Sequence, residues 1–182
     1  MALVEVAGAT PSHLALILGK DQNAYLINRD NLGGITTPVI KKQVAQGEIA
    51  SGSAVYAVAG STYIAFNGSG AGCPAGQNGD LVAMQVSAQN PPTLSIAWCA
   101  SQNGAGSPIV TSPDGVSSFI VWGLGAEGDN RLHGFDGATG QVIFAGGGNA
   151  EQMDMVQHFQ TPIVAKGPMY VGSSSKLYAF LP

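Results

Sequence analysis

Three histidines, two cysteines and a few carboxylates are the side chains best suited to chemistry, and their neighbours decide which chemistry is open. His13 begins an apolar run and His133 stands inside one, Leu132-His133-Gly134-Phe135-Asp136, so both read as structural. His158 lies in a polar stretch beside Gln157, with Asp154 close by, and is the best single candidate for a ligand contact. A metal centre needs three or four converging His, Cys or carboxylate donors, and no local spacing supplies them. No Gly-x-Ser-x-Gly nucleophile turn occurs, so no catalytic residue is assigned. Gly68-Ser69-Gly70-Ala71-Gly72 has no following Lys-Ser/Thr and no helix to complete a phosphate cradle. Gly146-Gly147-Gly148 precedes Glu151 to Phe159, which reads as a short helix or equally as an irregular loop, without the strand–helix crossover of a dinucleotide site. Trp98 and Trp122 read as core between packed layers, with a sugar-stacking platform as the alternative.

Cys73 and Cys99 form no Cys-x-x-Cys pair and have no histidine neighbours, which argues against zinc. Two readings stay open for them. They are buried free thiols, or they form a disulfide closing a loop of about 25 residues, which would point to an oxidising compartment.

The bulk composition narrows the partners. The chain has 182 residues, 7 basic and 11 acidic, and a formal charge of −4. Seven dispersed cations give no electrostatic footprint for nucleic acid. No run of about 18 apolar residues exists, so no membrane-spanning helix is expected. Met1-Ala2-Leu3-Val4-Glu5-Val6 has neither the basic region nor the long apolar run of a signal peptide, and localisation stays open. Charged residues make up only 10% of the chain, against about 25% in an ordinary domain, while 45% are hydrophobic and 26 are glycine. Such a chain buries most of what it has, in elements that approach closely.

Those elements are short strands. Runs of Val, Ile, Tyr and Phe are bounded by Gly, Asn, Asp, Ser and Pro, and the runs recur as sets. Ser107-Pro108-Ile109-Val110-Thr111 returns as Thr161-Pro162-Ile163-Val164-Ala165. Phe119-Ile120-Val121-Trp122-Gly123 returns as Pro168-Met169-Tyr170-Val171-Gly172. Leu81, Leu132 and Leu177 hold corresponding places about 45 to 51 residues apart, with Ala24 opening the series. Outer strands follow at Pro38 to Val44, Thr93 to Trp98 and Gln141 to Phe144, and the last unit reaches Pro182 without one. The period predicts one all-β domain over 1–182, a β-propeller of about four four-stranded blades at 1–46, 47–100, 101–148 and 149–182, the last incomplete. A β-sandwich is the structural alternative. Strand parity puts the long polar loops on one face, with Asp21, Asp129, Asp154 and His158 as ligand-face candidates.

Leu132-His133-Gly134-Phe135-Asp136-Gly137-Ala138-Thr139-Gly140-Gln141-Val142-Ile143-Phe144 resembles the repeat of quinoprotein-like propellers, L-Y-A-x-D-x-x-T-G-x-x-x-W. Asp136, Thr139 and Gly140 match, and Phe144 stands where tryptophan is usual. In that motif Asp caps turn amides and Gly takes a positive φ. The resemblance implies an eight-bladed ring, of which this chain would supply half as a homodimer; closure of one chain as a four-bladed propeller, or a chain that is a fragment of a longer propeller, are the alternatives. Members of the family are often exported, and some bind pyrroloquinoline quinone with calcium and oxidise alcohols or sugars. Their adjacent Cys-Cys pair and acidic calcium cage are not evident here. The expected function is therefore a non-catalytic binding or scaffold module for a small molecule or protein, with no cofactor. Half of a quinone-dependent dehydrogenase, carrying the quinone and calcium, is one alternative, and a carbohydrate-binding module is the other.

Overall fold

The computed structural model describes residues 1–32, 34–35 and 37–181. Among these, fifteen strands form four antiparallel sheets, each built in chain order from neighbouring strands. Sheet 1 holds β1 (Ala2–Glu5), β2 (His13–Leu18), β3 (Asn23–Asn28) and β4 (Ile40–Gln43). Sheet 2 holds β5 (Ser53–Val58), β6 (Ser61–Asn67), β7 (Leu81–Ser87) and β8 (Thr93–Ala100). Sheet 3 holds β9 (Ile109–Thr111), β10 (Ile120–Leu124), β11 (Leu132–Asp136) and β12 (Val142–Phe144). Sheet 4 has three strands, β13 (Ile163–Val164), β14 (Met169–Gly172) and β15 (Leu177–Phe180).

The four sheets share one register. Cross-strand triplets run Leu3–Ala15–Ile27, Val55–Ile64–Met84, Val110–Val121–Phe135 and Val164–Met169–Phe180. A one-residue slip would turn every side chain to the opposite face, so a common register gives each sheet the same two faces. The front faces the following sheet and carries Ala24, Leu81, Leu132 and Leu177. The back faces the preceding sheet and carries Tyr25, Val82, His133 and Tyr178.

Three apolar cores follow, one per junction. Leu14, Leu16 and Leu26 of sheet 1 meet Ile64, Phe66, Val82 and Met84 of sheet 2. Leu81, Ala83 and Trp98 meet Val121 and Phe135 of sheet 3. Leu124 and Leu132 meet Met169 and Val171 of sheet 4. The first strands also touch in succession, β1 on β5 and β5 on β9, while β4 approaches β8 on the outside. At the two ends of this stack apolar side chains stay in water. Leu3 and Ile17 on the back of sheet 1 are 62% and 40% exposed, and Ile163 and Leu177 on the front of sheet 4 are 62% and 72% exposed.

The Asp136 turn explains how sheets 2 and 3 interlock. Asp136 Oδ1 accepts from the amides of Ala138 and Thr139 (3.0 and 2.8 Å) and from the Thr139 hydroxyl (2.7 Å). The Gly137 carbonyl then accepts from Tyr56 Oη (2.8 Å) and Trp98 Nε1 (3.0 Å), both from sheet 2. Gly140 has φ +74°, and a Cβ there would stand 2.7 Å from the Trp98 ring. Both the backbone conformation and the ring beneath exclude a side chain at this position. The Tyr56 hydroxyl is pushed far above its ordinary pKa by burial, so it stays a neutral donor.

Two open readings are resolved. Glu151 to Phe159 is not an α-helix: only Asn149–Glu151 makes a single 3₁₀ turn and the rest is loop, since Met153 and Val156 reach the core one at a time. Of the two readings of Cys73 and Cys99, the disulfide is the one formed. They are bonded, with Cα atoms 5.7 Å apart, because the Gly68–Asp80 loop folds back over the end of β8.

Candidate functional site

The long loops between second and third strands, and those leading into each sheet, lie on one face. Each needs its carbonyls and amides satisfied in turns too short for sheet pairing. The chain solves this with a latch. In sheet 1 the Asp21 carboxylate accepts from the Asn23 side chain (3.0 Å) and from the Tyr25 hydroxyl, and the Tyr25 bond holds its pKa below the usual carboxylate range. In sheet 3 Asp129 repeats the device at the same four-residue spacing. Its Oδ2 meets His133 Nε2 at 2.9 Å and accepts from Asn103 Nδ2 at 3.1 Å, while Oδ1 accepts from the Arg131 amide at 3.0 Å. In sheet 4 the partner comes from the preceding loop. The Asp154 amide donates to Tyr178 Oη (2.8 Å), and its carboxylate accepts from Ser175. Hydrogen bonding from Ser173 and Ser175 lowers the Asp154 pKa. Sheet 2 carries Val82 at the ring position, and the Cys73–Cys99 bond fixes its loop instead.

Three of the four ligand-face candidates are thus spent on loop architecture. The loops bearing Asp129, Asp154 and His158 are brought together: Asn130 O accepts from the Met153 amide (3.0 Å) and Val156 O from the Glu127 amide (2.9 Å). Among the described residues no hydrogen bond or ion pair joins Asp21, in sheet 1, to that group. His158 is the candidate left facing a cavity. Its Nδ1 lies 2.6 Å from Glu127 Oε1, and its ring meets Phe159 edge-on with centroids 3.8 Å apart. Glu127 is held below the ordinary carboxylate range by that same contact.

The cavity measures about 330 Å³ and is lined by Glu48, Ser51, Asn67, Ala105, Glu127 and His158. It collects the segments entering β5, β9 and β13, together with the ends of β6 and β10. Gln102 braces the loop that carries Ala105. Fully buried, its Nε2 donates to the carbonyls of Gly104, Gly106 and Leu124 at 2.9, 2.8 and 3.2 Å. Asp80 adds two bonds, accepting from the amides of Gln102 (2.7 Å) and Gly104 (2.8 Å). A Cβ at Gly104 would fall 2.3 Å from the Gly125 backbone, so only glycine lets this loop lie against β10.

Glu48, Asn67, Asp80, Gln102 and Glu127 were not among the sequence candidates. Asp80 precedes the aligned Leu81 and could have been found from that position; Gln102 and Glu127 gave no signal, because their partners are distant in sequence. The remaining histidine, His13, sits at the opposite strand end with Nδ1 2.8 Å from Asp30 and Nε2 3.6 Å from Glu5.

The arrangement bears on two further chemistries. Among the described residues no group of three or more His, Cys, Asp or Glu converges. The bonded cysteines, Cys73 and Cys99, stand 26 residues apart in the chain. Trp98 has no solvent-facing ring, and Trp122 donates to Thr111 Oγ1 (2.8 Å) and lines an apolar cavity of about 400 Å³ with Leu132, Met169 and Phe180. The Trp98 ring is therefore closed to a sugar, while the half-buried Trp122 ring is partly open at that cavity. No family model, no curated protein and no solved structure matches this chain.

Proposed function

We propose that the chain is a non-catalytic binding or scaffold module, its four sheets arranged as blades of a β-propeller, the fourth with three strands among the described residues. The ligand, a small molecule or a protein, meets the long-loop face at the Glu48–Asn67–Glu127–His158 cavity. One observation carries this reading. The carboxylates and histidines of that face are bonded to their own or neighbouring loops, at Asp21–Tyr25, Asp129–His133 and Glu127–His158. A surface built this way is pre-organised, and pre-organisation lowers the ordering cost of binding. The common register and sheet-on-sheet cores support the blade arrangement, in which stacked units bury each other's faces.

A fragment library screened by amide NMR shifts tests it. Shifts should cluster at Ser51, Asn67, Ala105, Glu127 and His158 and vanish in His158→Ala. Hits confined to other surfaces would overturn the site. Adding pyrroloquinoline quinone and calcium and following dye-linked ethanol or glucose oxidation should give no turnover above background. Sustained turnover would overturn the non-catalytic reading in favour of a quinone-dependent dehydrogenase.

A further inference from the structure

The shared register shows what each end of the stack lacks. Ala24, Leu81 and Leu132 hold equivalent places in β3, β7 and β11, and the next sheet covers them to 0, 0 and 2% exposure. Leu177 holds the same place in β15 and is 72% exposed. Ile163, in the place of the half-buried Ile109, is 62% exposed. The converse holds at the other end. The back faces of sheets 2 and 4 bury Phe66 and Val171 at 0 and 1%, and their equivalent in sheet 1, Ile17, is 40% exposed. Leu3, equivalent to the half-buried Val55 and Val110, is 62% exposed.

We propose that the front of sheet 4 docks on the back of sheet 1 of a second copy, and that two copies close with two identical junctions. The occupant follows from the repeat itself. Inside the chain each front face is covered by the back of the next sheet in one register, and the back of sheet 1 presents Leu3, Ile17, Tyr25 and Ile27 in that register. The new junction continues the three existing ones, and a head-to-tail contact that closes at two leaves no apolar end in water. It also requires β1 to remain in its own sheet, where it pairs with β2. The inference rests on pairing register and needs no ligand on the loop face.

Light scattering on the full chain at tens of micromolar tests it. The expected mass is twice the single-chain 18.4 kDa. Leu177→Glu and Leu3→Glu should each halve it. Val116→Glu, a control at a 76% exposed loop residue, should not. All three sites are exposed in the single chain, so folding is spared, and circular dichroism verifies this. Mixing the two junction variants restores one intact junction and should recover double mass, whereas a sheet 4-to-sheet 4 contact would give no such rescue. A wild-type monomer, a dimer indifferent to both substitutions, failed rescue, or a mass growing with concentration beyond two copies would each overturn the proposal.

Discussion

Replacing both Cys73 and Cys99 by alanine should destabilise the chain by about 3.5 kcal/mol without changing its folded structure. The magnitude comes from the chain closed by the bond. A sequence separation of 26 gives about 12 cal/mol/K of lost unfolded-state entropy in the loop-closure relation, or about 3.5 kcal/mol at room temperature. The folded loop has other anchors that survive the change. Gln46 N donates to Ser69 O (2.8 Å), Ala71 N to Val44 O (3.1 Å), and Cys99 N to Gln77 Oε1 (2.9 Å). The effect therefore falls on the unfolded state. Urea unfolding followed by tryptophan fluorescence measures it, and a chain of this size should lose about 7–14 °C in melting temperature. Near-ultraviolet dichroism of the double variant should match the wild type. A loss below about 1 kcal/mol would refute the loop-entropy reasoning. A large loss accompanied by altered near-ultraviolet dichroism would refute it too, by showing that the bond holds the folded loop in place.

Three further outcomes follow. Gly140→Ala should cost more than Gly60→Ala in urea unfolding: both residues have positive φ, +74° and +80°, but only Gly140 has the Trp98 ring 2.7 Å from a new Cβ. A difference below about 0.5 kcal/mol, within the scatter of surface changes, would contradict that packing argument. Tyr56→Phe should cost about 1 kcal/mol, and the cost should rise in a Trp98→Phe background, where the Gly137 carbonyl loses both donors; a double-mutant cycle reads the coupling. The Glu127–His158 contact should weaken in acid. A carboxyl whose folded pKa is lowered contributes above its unfolded pKa and loses that contribution as pH falls through the folded value. Protection of the Val156 to Gln160 amides against exchange, relative to the intrinsic rate at each pH, should therefore fall as acid protonates Glu127, and Glu127→Gln should remove that dependence.

Much of the fold is legible in the chain because period-two patterning and turn chemistry agree. Asp136, Thr139 and Gly140 announce a capped turn, and the structure supplies each bond they imply. Glycine and proline between apolar runs mark the strand ends. The loop face is less legible, for a physical reason. An aspartate in a polar loop looks free for a ligand, and only the register reveals a ring four residues on, at Tyr25 or His133, placed to hold it. The Asp21 and Asp129 spacing was visible, but its meaning needed the sheets. Gln102 was invisible: an amide in Ala100 to Gly106 reads as solvated, and its burial depends on three carbonyls that converge only when β10 lies alongside. Glu127 and His158 are 31 residues apart, and nothing local foretells their meeting.

The four loop latches are not chemically alike, and this gives the molecule an uneven resistance to environment. Sheets 1 and 4, at the two extremities, fasten their loops with Asp21 and Asp154, whose lowered pKa values tie the fastening to ionised carboxylates. Sheet 2, in the interior, fastens its loop with sulfur, which no proton reaches. Loss of the carboxylate charge bears on the loops of sheets 1 and 4, and a thiol reductant bears on the loop of sheet 2, so one chain carries two separable weak points addressed by different solvents.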